Sequence, residues 1–176
     1  KGESLSTAQS SVQLTHKIEM SQVSFSYPNA KTPALDQINL TIKKGETVAV
    51  VGENGSGKTT LSKLLLGMYH PAAGVVSWDG FDLRTVTTST LAGQTAIVTQ
   101  KPARLKLPLA ESIALQDTPG RSNEEIREIL RQAGLPQLAE SPDLFLQLGK
   151  EFGGIDLSGG EWQKLALARC IYKDAP

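Results

Sequence analysis

One cysteine, Cys170, stands in the whole chain. A lone thiol excludes an internal disulfide framework and a C-x-x-C metal site, and is compatible with a reducing compartment. No apolar run approaches the roughly 20 residues that a membrane-spanning helix needs, so any role at a membrane goes through a partner or through further chain. An excess of one charge is missing too: 18 Lys plus Arg stand against 18 Asp plus Glu. That balance gives no support to a nucleic-acid binder with a basic face. Internal repeats, heptad runs and low-complexity tracts are absent. The Ser-rich start, KGESLSTAQSSVQ, lacks the apolar segment of a signal peptide, and residues 1–16 read as a linker or a cut edge. What is present is 176 residues, 39% hydrophobic and 20% charged, an ordinary composition for one globular domain with a subdomain.

From Ile18 to Val51 the pattern is extended. VSFSY alternates Val23, Phe25 and Tyr27 on one face, and INLTI alternates Ile38, Leu40 and Ile42. TVAVV, residues 47–51, is apolar without alternation, as for a strand buried on both faces. A Gly-rich loop follows. Leu61, Leu64, Leu65 and Met68 then take the i, i+3, i+4, i+7 spacing of an amphipathic helix ended by HPAAG. GVVSWDG and TAIVTQ read as further strands. Past residue 102 the character turns helical. SNEEIREILRQAGLP opens with Ser122 and Glu125 at capping-box spacing and closes on Gly134 and Pro136.

The loop GENGSGKTT, residues 52–60, fits G-x-x-x-x-G-K-[ST]. Its members are Gly52, Glu53, Asn54, Gly55, Ser56, Gly57, Lys58, Thr59 and Thr60. Backbone N–H groups must turn inward to wrap phosphate oxygens, and side chains would block that approach, hence the glycines. The following helix presents its positive end to the same phosphates. Lys58 supplies a point charge for the β- and γ-phosphates, and the Thr59 hydroxyl can ligate Mg²⁺. A bare Gly-rich turn lacks the strand before and the helix after that this context supplies. The motif alone leaves a kinase, a GTPase and a transporter ATPase open.

LSGGEWQK, residues 157–164, narrows that choice. Ser158 and Glu161 have capping-box spacing. A cap does not call for Gly159 and Gly160, because glycine costs about 1 kcal/mol relative to alanine inside a helix. Two glycines at a helix start suit a surface that approaches an anion closely.

From Ile18 to Pro176 the chain resembles the nucleotide-binding domain of ATP-binding-cassette (ABC) transporters. The phosphate loop and LSGGEWQ carry the resemblance, in the family's order and at a compatible separation. Tyr27 in VSFSYP is similar to the family's adenine-stacking aromatic, and Gln100 in IVTQKP to the glutamine of the loop that joins core to helical subdomain. By themselves, Tyr27 also suits a half-buried strand aromatic and Gln100 a surface residue; Trp162 suits helix packing and Cys170 a small buried position. Glu161 and Trp162 stand where the family more often has glutamine and a basic residue. LGKEFGG matches loosely the coupling segment of exporters, with Glu151 facing either a membrane-domain loop or solvent.

The resemblance implies an α/β fold: a P-loop NTPase core with an antiparallel β-subdomain and an α-helical signature subdomain. It places the β-subdomain and phosphate-loop core over 17–101, and the helical subdomain with its signature helix over 102–176. It implies ATP and Mg²⁺ as ligands, with Gln100 contacting Mg²⁺ and the attacking water. Two nucleotide-binding domains, identical or different, would pair head to tail, Ser158, Gly159 and Gly160 binding the γ-phosphate held by the partner domain's lysine. Attached transmembrane domains at the cytoplasmic face of the membrane would convert that cycle into transport, an exporter being favoured over an importer. A non-catalytic nucleotide switch is a further reading, while a chromosome-maintenance ATPase would need a coiled coil between the two motifs. The family's Mg²⁺-holding aspartate, general-base glutamate and switch histidine lie downstream of the signature helix. Asp79 in SWDG has the wrong order to replace them. The stretch in hand is therefore expected to be hydrolysis-incompetent and to bear an apolar sheet edge prone to association.

Overall fold

The computed structural model describes residues 12–115 and 120–175. Most of the polar lead-in read as a linker, and Pro176, lie outside the described residues. The chain divides into two compact units, one running to Thr95 and the other from Ala96 to Ala175.

The first unit is built on four antiparallel strands in the order β2-β1-β3-β4. They are β1 (Lys17–Phe25), β2 (Leu35–Lys43), β3 (Ala73–Trp78) and β4 (Phe81–Asp82). The alternation expected for INLTI is present: Ile38, Leu40 and Ile42 are half-buried while their neighbours are exposed. Helix α1 (Lys58–Leu65) packs Leu64 into a core with Met20, Val23, Val76 and Trp78. Eight residues are too few for a stable isolated helix. Burying Leu64 adds about 2 kcal/mol, and the Trp78 indole N–H donates to the Leu65 carbonyl at 3.1 Å, closing the helix end. Helix α2 (Thr88–Gln94) completes the unit, capped by the Thr87 hydroxyl.

Asp79, in the tight turn after β3, holds the segment that enters β1. Its carboxylate accepts the backbone N–H groups of Thr15, His16 and Lys17 and the Thr15 hydroxyl. Burial pushes this carboxyl up, but those hydrogen bonds outweigh it and hold the group at about 2. Asp79 is thus a structural acceptor.

The structure departs from three of the sequence expectations. Thr47–Val51 forms no ladder among the described residues, and Val51 is 88% exposed. TAIVTQ, residues 95–100, likewise forms no ladder among the described residues, and Ile97 and Val98 are exposed. Both runs are rich in apolar residues, but a strand is a pairing, and neither has a ladder partner among the described residues. The third is Met68: the helix stops at Leu65, Gly67 turns left-handed at φ 66°, and Met68 is exposed.

The second unit is helical, as expected: α3 (Leu109–Ala114), α4 (Asn123–Gln132), α5 (Pro136–Ala139) and α6 (Gly159–Lys173). Both capping boxes read from sequence are formed, Ser122 with Glu125 and Ser158 with Glu161. Trp162, Leu165, Ala168 and Tyr172 make one buried stripe of α6, against which Ile113, Ile129, Leu130 and Leu135 pack. Trp162 is therefore a packing residue. Cys170 is half-buried, and burial pushes its thiol up, away from reactivity. Glu151 pairs with the Lys106 ammonium.

Candidate functional site

The phosphate loop belongs to the first unit. Gly52 to Ser56 are exposed, and Gly57 turns the chain into α1 at φ 89°. A Cβ at Gly57 would lie 2.5 Å from the Ala34 carbonyl oxygen and 2.9 Å from Leu35, so only glycine fits. No side chain caps α1. Its first N–H groups are left for another acceptor, an arrangement that suits an anion. Lys58 folds over the loop: its ammonium donates to the carbonyls of Gly52 and Glu53, each at 2.7 Å, and lies 3.5 Å from Ser56 Oγ. Positive charge and free amides thus converge on one turn. Thr59 is exposed, whereas Thr60 is buried.

Tyr27 lies just beyond β1 in the same unit and is 38% exposed. Its ring meets Phe25 edge to face at 5.1 Å and Tyr69 at 5.9 Å. Its hydroxyl lies 2.9 Å from Thr60 Oγ1. The structure therefore brings the candidate base platform onto the helix that the phosphate loop starts, a link that sequence spacing could not show.

Gln100, Ser158, Gly159 and Gly160 belong to the second unit. Gln100, Gly159 and Gly160 line one open hollow of about 440 Å³, together with Lys101, Arg104 and Gln163. Ser158 opens α6, its hydroxyl accepting the Glu161 N–H at 3.3 Å. The Glu161 carboxylate accepts the Ser158 N–H at 2.7 Å, and that bond, with the Ser158 hydroxyl and the Gln137 amide, lowers its pKa. Glutamate in place of the family's usual glutamine therefore serves the cap. Neither glycine has a left-handed φ. A Cβ at Gly159 would meet only Arg104 Nη2, at 4.0 Å, and one at Gly160 would meet nothing. The fold does not need either glycine, which leaves a bare helix start for something outside the unit.

Sequence reasoning missed two cations that line this hollow, and a third that braces the loop running along it. Lys101 and Arg104 follow Gln100 directly in QKPAR, a signal that was available. Arg169 gave no local signal. Its guanidinium donates to the carbonyls of Ser112, at 2.7 Å, and Ala103, at 2.9 Å, while Nη2 is buried without a partner among the described residues. Gln163 donates to the Gln100 carbonyl at 3.3 Å. Helix α6 thus holds the loop that carries Gln100.

Among the described residues no cluster of three or more His, Cys, Asp or Glu could hold a metal ion. The Thr59 hydroxyl suits Mg²⁺ that arrives with phosphate oxygens and water as its other ligands, the usual habit of that ion.

Residues 35–176 match the family described as ABC transporter. The ATP-dependent lipid A-core flippase of Escherichia coli K12 is 38% identical over 162 residues, covering 92% of this chain and 28% of the flippase. The flippase of Shigella flexneri matches to the same extent. Among solved structures, a bacterial Atm1-family ABC exporter with ATP bound superposes with a TM-score of 0.82 at 29% identity, covering 96% of this chain and 29% of the exporter. The chain thus spans 28% of the length of those flippases.

Proposed function

The chain belongs to the ABC transporter family, and we propose that it binds ATP as part of an ATPase that drives export. The observation that carries this reading is the uncapped start of α1, entered through Gly57, with the Lys58 ammonium drawn over the same turn. Gly52 to Thr60 would cradle the phosphates, Tyr27 would stack on the base, and the Thr59 hydroxyl would ligate Mg²⁺. When bound, Mg²⁺ neutralises phosphate charge and orients the terminal phosphate. Ser158, Gly159 and Gly160 would close on the γ-phosphate of a second nucleotide-binding domain, so that ATP joins two domains and hydrolysis in the complete protein releases them.

Export is favoured over import because the Atm1-family protein is an exporter by name and the two relatives are flippases by name, neither an importer. No described helix is long and apolar enough to cross a membrane. The proposed setting rests on those relatives: the cytoplasmic side of a membrane, beneath transmembrane domains of the complete transporter.

The test is calorimetric titration with Mg-ATP of the wild-type chain and of Lys58→Ala. Lys58→Ala is expected to lose at least 10-fold in affinity, as removal of one charged hydrogen-bonding group at a phosphate implies. Unchanged affinity refutes the phosphate-loop assignment.

A further inference from the structure

We propose that the Tyr27 hydroxyl is a positioning group for the phosphate loop, so that the base platform and the phosphate cradle act as one linked element. The inference rests on the phosphate-loop reading above and goes beyond stacking, which needs only a ring.

Thr60 is the third residue of α1 and is 4% exposed. Its hydroxyl lies 2.9 Å from Tyr27 Oη, and a buried hydroxyl depends on its protein partner because water cannot replace it. The Tyr27 ring is itself fixed. It stands nearly perpendicular, at 89°, to both Phe25 and Tyr69. Those two rings stack on each other with centroids 5.3 Å apart and planes 4° apart. Tyr69 in turn reaches back to α1. The Lys63 ammonium lies 5.1 Å above its ring and donates to its hydroxyl at 3.4 Å.

The contacts therefore close a circuit: Tyr27 to Thr60, along α1 to Lys63, then Tyr69 and back to Tyr27. Two anchors nearly one turn apart fix the rotation of α1 about its axis. That rotation sets where the free N–H groups of its first turn point. A helix this short does not hold its own orientation. Losing the phenol while keeping the ring should therefore disturb the binding of phosphates that carry no base at all.

The experiment measures affinities for Mg-ATP and for inorganic tripolyphosphate with Mg²⁺ in wild type, Tyr27→Phe, Thr60→Val, Thr60→Ser and the Tyr27→Phe/Thr60→Val pair. Tyr27→Phe is expected to weaken both ligands by about 5-fold, the ratio set by one net hydrogen bond. Thr60→Ser keeps the hydroxyl and should bind more tightly than Thr60→Val. The paired variant should be no weaker than Thr60→Val alone, because the two changes remove one bond. If Tyr27→Phe binds tripolyphosphate like wild type, or if the losses multiply in the pair, the proposal is overturned while the phosphate-loop reading stands. If Lys58→Ala also binds tripolyphosphate like wild type, the phosphate-loop reading falls and takes the proposal with it.

Discussion

Alanine at both Gly159 and Gly160 should make the chain more stable and the protein less functional. Neither glycine occupies a left-handed backbone, and an added methyl meets Arg104 Nη2 at 4.0 Å in one case and nothing in the other. Replacing a helical glycine under those conditions gains about 0.5–1 kcal/mol, chiefly by narrowing the unfolded ensemble. The pair should gain about 1–2 kcal/mol, which for a chain of this size raises Tm by about 2–8 °C. Two methyls on the first turn would also hold an anion away from the backbone N–H groups, at a loss of about 1.5–3 kcal/mol for each charged hydrogen bond forgone. Calorimetric melting of the chain reads the first effect; ATP-driven pairing of the full-length protein, followed by cross-linking, reads the second. A falling Tm would show that the fold does require these glycines. A rising Tm with undiminished pairing would show that no phosphate approaches them, and the proposed role in a second domain's ATP site would be lost.

Asp79→Asn should lower stability at neutral pH but not in acid. The folded carboxyl sits at about 2 against an ordinary 3.8, so its contribution is full above the unfolded value and vanishes as pH falls through the folded one. After solvent screening the difference is about 1 kcal/mol; the Tm gap between wild type and variant should narrow as pH falls from 4 through 2, and a gap at pH 2 as wide as at pH 7 refutes the assignment. Arg169→Ala should free the loop after Gln100 by removing its bonds to Ala103 and Ser112, at about 2 kcal/mol or more. Amide hydrogen exchange at residues 101–105 should rise, and protection equal to wild type would argue that α6 does not hold that loop.

Local chemistry was readable in the sequence and long-range pairing was not. Ser122 with Glu125 and Ser158 with Glu161 announce helix starts because each cap closes within three residues. The alternation of Ile38, Leu40 and Ile42 needs only one buried face. Thr47–Val51 has the composition of a buried strand, yet a ladder depends on a neighbour that composition cannot supply. Periodicity carried the α1 reading on to Met68, but the left-handed Gly67 ends that geometry first. At the candidate site, the phosphate loop and the signature were legible as motifs. The Tyr27–Thr60 bond, spanning 33 residues, and the Arg169–Ala103 bond, spanning 66, were not.

Helix α6 divides its work along its length, and this explains why its first turn can be bare. Trp162, Leu165, Ala168 and Tyr172 set the direction of the helix by burial. The Ser158–Glu161 box closes its start. With aim and cap supplied elsewhere, Gly159 and Gly160 need carry no packing, and their N–H groups stay accessible. The same rod holds Gln100 and Ala103 through Gln163 and Arg169. In the proposed reading, a ligand at the first turn would therefore sit on the same helix that anchors the Gln100 loop. In the proposed cycle, the helix start that receives a second domain's γ-phosphate and the glutamine loop of its own unit would move together.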